Sequence, residues 1–217
     1  MLLIKSISDD PVFNGELEKK YLTERPFQDV LLFYINRPSV IVGRNQLIEA
    51  EADRYYCQQH HIEIHKRISG GGTVYHDYGN INYAFIVSKG TVPVLERDFA
   101  TPVIKALQSF GINATVGQRK ELSVGNKKIS GTASHITRNG ILFHGTLLHR
   151  SDLSHLTYAL RGNPSIRGKN VASVPGAVVN LNDIMPANKS TEEFLNDLLN
   201  FFAGYYQTAI IEIAEGA

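Results

Sequence analysis

Apolar and polar positions along the chain alternate between strand-like and helix-like periods, and the order of these stretches predicts the architecture. Leu2–Ile7 predicts a strand, and the stretch from Val12 to Glu24 a helix. Asp29–Ile35 and Ser39–Gly43 predict two further strands, separated by the turn Asn36-Arg37-Pro38. A polar helix is expected over Glu51–His60, then strands over Ile62–Ile68 and Ile81–Ser88. Leu95, Phe99, Val103, Ile104, Leu107 and Phe110 fall on one face and predict a helix over Leu95–Phe110. Pro102 lies inside that window, so a restart capped by Thr101 is expected, with Gly111 as the stop.

A β-rich middle follows. Glu121–Val124 and Lys127–Ile129 are joined by Gly125-Asn126, and Ser134–Thr137 and Ile141–Leu148 flank Asn139-Gly140, a dipeptide that favours hairpin turns. Thr191–Tyr206 predicts the last helix. It opens on Ser190-Thr191-Glu192-Glu193, which has capping-box spacing, and an apolar run, Ala209–Ile213, follows. Hairpins mixed with helices, in place of repeated β-α-β units, predict an α/β (α+β) fold with a mixed, largely antiparallel sheet flanked by helices. Residues 1–217 are expected to form a single domain.

Composition narrows the function classes. The 217 residues are 43% hydrophobic and 20% charged, enough to bury a real core. A net charge of +1 gives no bulk electrostatic case for nucleic acid or an anionic membrane as partner. No apolar run reaches ~18 residues, and the first residues do not read as a signal peptide. A single cysteine, Cys57, excludes an internal disulfide, and a cytoplasmic location is expected.

Three local patterns carry candidate chemistry. Residues 66–80 read KRISGGGTVYHDYGN, with three consecutive glycines between strand-like runs. Glycine costs backbone entropy, so the run is either a slack loop or a place where a ligand meets bare main chain. Consecutive N–H groups in such a loop suit an anion, and Arg67 adds a permanent positive charge. The second pattern, Gly125-Asn126-Lys127-Lys128-Ile129-Ser130-Gly131, sets a lysine on a short strand beside small residues. Its alternative is a solvated edge lysine that discourages aggregation. In the third, His144 and Thr146 share one face of a strand and Gly145 is expected to leave the opposite face bare; a lone strand histidine such as His144 is more often a satisfied structural residue than a catalyst. The cluster His60, His61 and His65 lacks metal-ligand spacing and reads as solvated surface.

Taken together, these residues resemble a known family. Arg67–Asn80 resembles the R-x-S-G-G-G-x-V-x-H-D-x-G-N signature of lipoate–protein ligases. Lys128-Ile129-Ser130-Gly131-Thr132-Ala133 is similar to their K-[IV]-[SA]-G-[SN]-A element, and His144-Gly145-Thr146-Leu147-Leu148 to their H-G-[TS]-L-L. SVIVGR at Ser39–Arg44 and the later Asn180-Leu181 fit in family order, so the resemblance covers nearly the whole chain.

The resemblance implies a biotin/lipoate protein ligase-like fold related to class II synthetases, without the family's accessory domain. It implies ATP-dependent activation of lipoate to lipoyl-AMP and transfer to a lysine of an acceptor domain. The alternative is a lipoyl or octanoyl transferase that depends on a partner subunit or on preformed adenylate. A third reading, a non-catalytic lipoyl-binding protein, is disfavoured because both the lysine and the glycine run are present. A cysteine-nucleophile route is disfavoured too, since Cys57 lies away from the motifs.

The implied site is specific. Lys128 is the catalytic residue, touching both the lipoyl carbonyl and the phosphate. Arg67, Gly71 and the backbone of Gly72, Thr73, Val74 and Tyr75 hold ATP and then the adenylate, with His76 and His144 beside the lipoyl group. ATP, Mg2+ and lipoate are the implied cofactors and substrates. The implied partners are the lipoyl domains of 2-oxoacid dehydrogenase complexes or the glycine cleavage H protein, with a separate accessory subunit as a further candidate. One departure stands out. Where the family often carries R-N-D-[IL], this chain has Arg119-Lys120-Glu121-Leu122, which leaves Glu121 as the candidate metal carboxylate. The tail pocket is expected to be apolar, which leaves lipoate and octanoate undistinguished.

Overall fold

The strand runs at residues 30–34 and 80–87 are buried on both faces because helices cover their sheet from both sides. The computed structural model describes residues 1–24, 28–90, 98–138, 140–166, 172–174 and 176–216. Twelve strands and six α-helices are assigned among them: β1 (Leu2–Ser6), α1 (Pro11–Glu24), β2 (Val30–Tyr34), β3 (Ser39–Val42), α2 (Ile48–Glu51), α3 (Arg54–Gln59), β4 (Glu63–Lys66), β5 (Val74–His76), β6 (Asn80–Ser88), α4 (Ala100–Ser109), β7 (Thr115–Val116), β8 (Leu122–Val124), β9 (Lys127–Ser130), β10 (Thr132–Ile136), β11 (Gly140–Leu148), α5 (Leu153–Ala159), α6 (Thr191–Tyr206) and β12 (Ile210–Ile213).

The main sheet runs β10-β11-β6-β2-β1-β12. Its β10/β11, β11/β6 and β6/β2 pairings are antiparallel, and β2/β1 and β1/β12 are parallel, so the expected mixed, largely antiparallel sheet is present. One face carries Leu3, Leu31, Phe33, Tyr83, Phe85 and Phe143 against α4 and α6, forming the largest core. The other carries Ile4, Val30, Leu32, Ala84, Ile86 and Leu142 against Leu17 and Leu22 of α1. A small sheet, β4-β3-β5, packs on Cys57 of α3 and Ala159 of α5, and a third, β7-β8-β9, carries Lys128.

Several boundaries differ from the pattern-based expectation. The helix expected over Glu51–His60 starts only at Arg54, as α3, because Asp53 is extended and its side chain caps α3 by accepting from the Tyr56 N–H at 2.8 Å; Glu51 ends the separate short helix α2. The strand expected over Ile62–Ile68 is confined to Glu63–Lys66. Residues 95–97 of the helix expected over Leu95–Phe110 lie outside the described residues. The described helix begins at Ala100, and Asp98, not Thr101, supplies the cap, accepting from the amides of Ala100 and Thr101. Pro102 falls in the first turn, where no intrahelical N–H is needed. Asn139 lies outside the described residues, but β10 and β11 pair as a hairpin up to Thr137, whose N–H reaches the Gly140 carbonyl. The capping box before α6 is formed in both directions, with Ser190 Oγ accepting from Glu193 N–H and Glu193 Oε2 from Ser190 N–H. No helix among the described residues is long and apolar enough to cross a membrane.

Candidate active site

The α1 face of the main sheet changes chemistry along its length. Ala84 and Ile86 of β6 and Leu142 of β11 are apolar, but Asn82, His144 and Thr146 continue the same alternation as polar residues. There a cavity of about 860 Å³ opens, walled by the main sheet, by Ile41, Val74 and His76 of the small sheet, and by the Lys128 hairpin. It brings together Arg67, Gly71, Gly72, Thr73, Val74, His76, Glu121, Lys128 and His144 from segments more than 70 residues apart. Tyr75 is the exception. On β5 it faces the small core, 2% exposed, and does not line the cavity.

The glycine run is shaped by its neighbours. Gly71 has φ +88°, a left-handed conformation that a side chain would strain. A Cβ at Gly43 would lie 2.2 Å from the Gly71 carbonyl oxygen, so the end of β3 must also be bare for the loop to sit where it does. The Arg67 guanidinium fixes the loop from within. Its Nε–H donates to Ser69 Oγ (2.8 Å), one terminal nitrogen to Ile41 O (2.9 Å), and the other to the carbonyls of Gly70 and Gly72 (both 2.7 Å). Four of its five N–H groups are thus committed to the protein. Burial lowers its pKa to about 10, so it remains charged at neutral pH.

Behind the loop runs a directed chain of hydrogen bonds. Ser69 Oγ, having accepted from Arg67, donates to His144 Nε2 at 2.7 Å, and His144 Nδ1–H donates to the Glu18 carboxylate at 3.0 Å. Tyr34 O–H donates to the same carboxylate at 3.0 Å. The expected strand pairing of His144 with Thr146 is present, but the other face at Gly145 is not bare. A Cβ there would lie 2.5 Å from the Tyr83 hydroxyl, so the glycine makes room for that ring.

Lys128 is half-buried on β9. Its backbone is held by a bridge to residues 177–179, with Lys128 N–H to Ala177 O at 2.8 Å and Val179 N–H to Lys128 O at 3.1 Å. Its Nζ lies 3.3 Å from where a Gly131 Cβ would stand, so Gly131 keeps the ammonium open to the cavity. Burial lowers its pKa, assisted by Arg119, while Glu121 acts in the opposite sense. Glu121 Oε2 accepts from the Arg119 N–H at 2.9 Å. Of the two acidic side chains lining the cavity among the described residues, only Glu121 stands near the lysine; Glu18 is at the α1 end.

Sequence reasoning missed Glu18, Tyr34, Asn36, Gln46, Ser69 and Ser173 as contributors. A signal existed for Glu18, which interrupts the buried stripe Asn14-Leu17-Glu18-Leu22 of α1 with a carboxylate. Gln46 carried no such signal. Its buried amide accepts from Gly43 N–H (3.1 Å) and Thr73 Oγ1–H (2.8 Å), and donates to Ser173 Oγ (3.2 Å).

Three sheets surround one cavity lined by both the glycine-rich loop and Lys128. The chain belongs to the lipoyl protein ligase A/B catalytic domain family, which it matches over residues 10–203. It is 40% identical over 198 residues to lipoate–protein ligase 1 of Staphylococcus aureus, covering 90% of this chain and 60% of that protein. The chain spans about three-fifths of the length of the curated relatives it matches first. Among solved structures, a bipartite lipoate protein ligase from Thermoplasma acidophilum, described with its E2 lipoyl domain, is 25% identical with a TM-score of 0.76, over 99% of this chain and 87% of that one. A lipoate–protein ligase A bound with ATP shares the fold, with a TM-score of 0.81 at 24% identity over 98% of this chain and 88% of that one.

Proposed function

We propose that this chain is the catalytic part of a lipoate–protein ligase, which activates lipoate with ATP and passes the lipoyl group to a lysine of an acceptor domain. The observation that carries this reading is the single cavity in which Lys128 and the glycine cradle share one space with a polar recess beneath α1.

In the first half-reaction a carboxylate oxygen of lipoate attacks the α-phosphorus of ATP and pyrophosphate leaves. Two anions must approach, so fixed positive charge at the point of contact lowers the barrier. Lys128 supplies that charge. Arg67 holds the loop that presents the amides of Gly72, Thr73 and Val74, and it lines the same cavity. The donor set suits Mg2+ carried by the triphosphate, since such an ion needs few protein carboxylates, and Glu121 would hold it; the ion would neutralise charge on the leaving pyrophosphate.

In the second half-reaction the acceptor lysine attacks the carbonyl of the mixed anhydride and AMP leaves. Supplying the neutral amine at pH 7 costs about 4–5 kcal/mol. Placement beside the anhydride and the developing charge on the carbonyl oxygen, stabilised by Lys128, offset that cost. The lipoyl domains of 2-oxoacid dehydrogenases and the glycine cleavage H protein are the acceptors this reading names. It includes a separate accessory subunit as a candidate partner and a cytoplasmic location, consistent with one buried thiol, Cys57.

The test is mass spectrometry of an acceptor domain incubated with this chain, ATP, magnesium and lipoate. A mass gain of one lipoyl group at the acceptor lysine is expected. Absence of that gain, both with ATP and with lipoyl-AMP supplied directly, would overturn the proposal.

A further inference from the structure

β10 forms one edge of the main sheet, and the start of that edge stands beside Lys128. Gly131 joins β9 to β10, and Lys128 Nζ lies 3.3 Å from where a Gly131 Cβ would stand. Thr132 and Ala133 line the cavity. The sheet's other edge, β12, is five strand spacings away, roughly 24 Å, too far for a lysine side chain to bridge.

The backbone of β10 is only half used. Thr146 N–H donates to Gly131 O at 3.0 Å and Thr137 N–H to Gly140 O at 2.9 Å, so residues 131, 133, 135 and 137 turn their backbone groups to β11. Thr132, Ser134 and Ile136 turn theirs outward. Ser134 and Ile136 are exposed, and no residue among those described meets their outward N–H and C=O groups. Natural sheet edges are blunted by lysine, proline or a bulge. The strand Thr-Ala-Ser-His-Ile carries none of these, and its register with β11 is unbroken. Such an edge is a template for another strand. The charge around it is positive. The Lys120 carbonyl accepts from Thr132 Oγ1 at 3.0 Å, Arg138 follows the strand, and Arg44 lies close enough to reinforce burial in lowering the pKa of His135. Lys120, Arg138 and Arg44 are all exposed, with Glu121 set against them.

We infer that the outer edge of β10 is where the acceptor domain docks, by adding an extended, acidic segment as a further strand of the main sheet. A strand added there lies about 4.8 Å from β10, so a lysine at its end beside Thr132 reaches the Lys128 corner of the cavity. Main-chain pairing supplies the fit, and the cations around the edge select an acidic segment. The inference rests on the proposed function for the existence of an acceptor lysine. It adds the surface that receives the partner and the chemistry that recognises it.

Hydrogen exchange of the wild-type chain, followed by NMR with and without the unmodified lipoyl domain of a 2-oxoacid dehydrogenase, tests the pairing directly. Saturation with that domain is expected to slow exchange of the Ser134 and Ile136 amides at least about tenfold. Ser134→Pro removes an outward N–H and leaves the bonds to β11 in place. With lipoyl-AMP supplied, it is expected to raise KM for the acceptor about tenfold at unchanged kcat, while Ser134→Ala, which keeps the N–H, stays at the wild-type KM. Lys120→Glu combined with Arg138→Glu is expected to raise KM about fivefold and to weaken its dependence on salt. Circular dichroism establishes whether each variant is folded, and the exchange result stands without them. Unchanged exchange at both amides under saturating acceptor would overturn this inference alone, as would a folded Ser134→Pro with the wild-type KM. So would a dimer of the free chain in sedimentation that Ser134→Pro dissolves, since the edge would then serve a second copy. Failure of the acceptor to take up any lipoyl group would overturn the proposed function with it.

Discussion

Ser173 Oγ accepts the Thr73 N–H at 2.8 Å, so an amide assigned to the phosphate seat is already hydrogen-bonded within the chain. The serine also fills the space above Gly72, its Oγ lying 3.1 Å from where a Cβ would stand. Its own N–H donates to the Glu51 carboxylate at 3.2–3.3 Å. A nucleotide that uses the Thr73 amide must displace this hydroxyl. Ser173→Ala is therefore expected to tighten ATP binding about fivefold, the worth of one competing neutral hydrogen bond, as read by calorimetry. Weaker binding would show that Ser173 belongs to the bound seat.

Lys128 offers the sharpest test of mechanism. Lys128→Ala removes the cation while β9 keeps its backbone bridge to Ala177 and Val179. Turnover is expected to fall by about 10²–10³, the usual cost of losing one preorganised charge donor, with an unchanged melting temperature. Near-normal turnover in steady-state assays would remove Lys128 from its assigned role.

Gly43 tests the cradle from behind. In Gly43→Ala the new Cβ would sit 2.2 Å from the Gly71 carbonyl oxygen, so either β3 or the loop must shift. Destabilisation of about 1–3 kcal/mol is expected from such overpacking, together with weaker ATP binding. Denaturant titration and calorimetry on the same sample read both.

Two buried histidines set an acid limit on stability. Burial lowers the pKa of His76 to about 3 and that of His149 to about 4 from an ordinary 6.5. The unfolded chain therefore takes up these protons first as pH falls, so stability is full above about pH 6.5 and is lost progressively down to about pH 3. The loss should be on the order of a few kcal/mol. His149 stacks on Phe194 with ring centroids 4.7 Å apart, so His149→Phe is expected to flatten the stability–pH slope between pH 6 and 4. An unchanged slope in urea unfolding would refute that assignment.

Local features of the site were legible in the sequence. The glycine run, Lys128 and the His144 strand each announce themselves within a few residues, and the hairpins around them follow from turn chemistry. What escaped was long-range. Glu18 meets His144 across 126 residues and Asn36 meets His76 across 40, and no periodicity encodes either partnership. The type and place of Arg67 fit an anion contact, but nothing near it in the sequence shows that four of its N–H groups are taken by Ile41, Ser69, Gly70 and Gly72. The late start of α3 escaped because the helical pattern of Glu51–His60 runs through its capping residue, Asp53, without a break.

α1 brings Pro11, Gly15 and Glu18 to one wall of the cavity, so its depth there is set in part by a helix that carries neither the glycine cradle nor Lys128. Gly15 lies on that wall with open space where a side chain would go. The cavity can therefore be shortened at a single turn of α1, by enlarging residue 15, while the glycine cradle and Lys128 stay as they are.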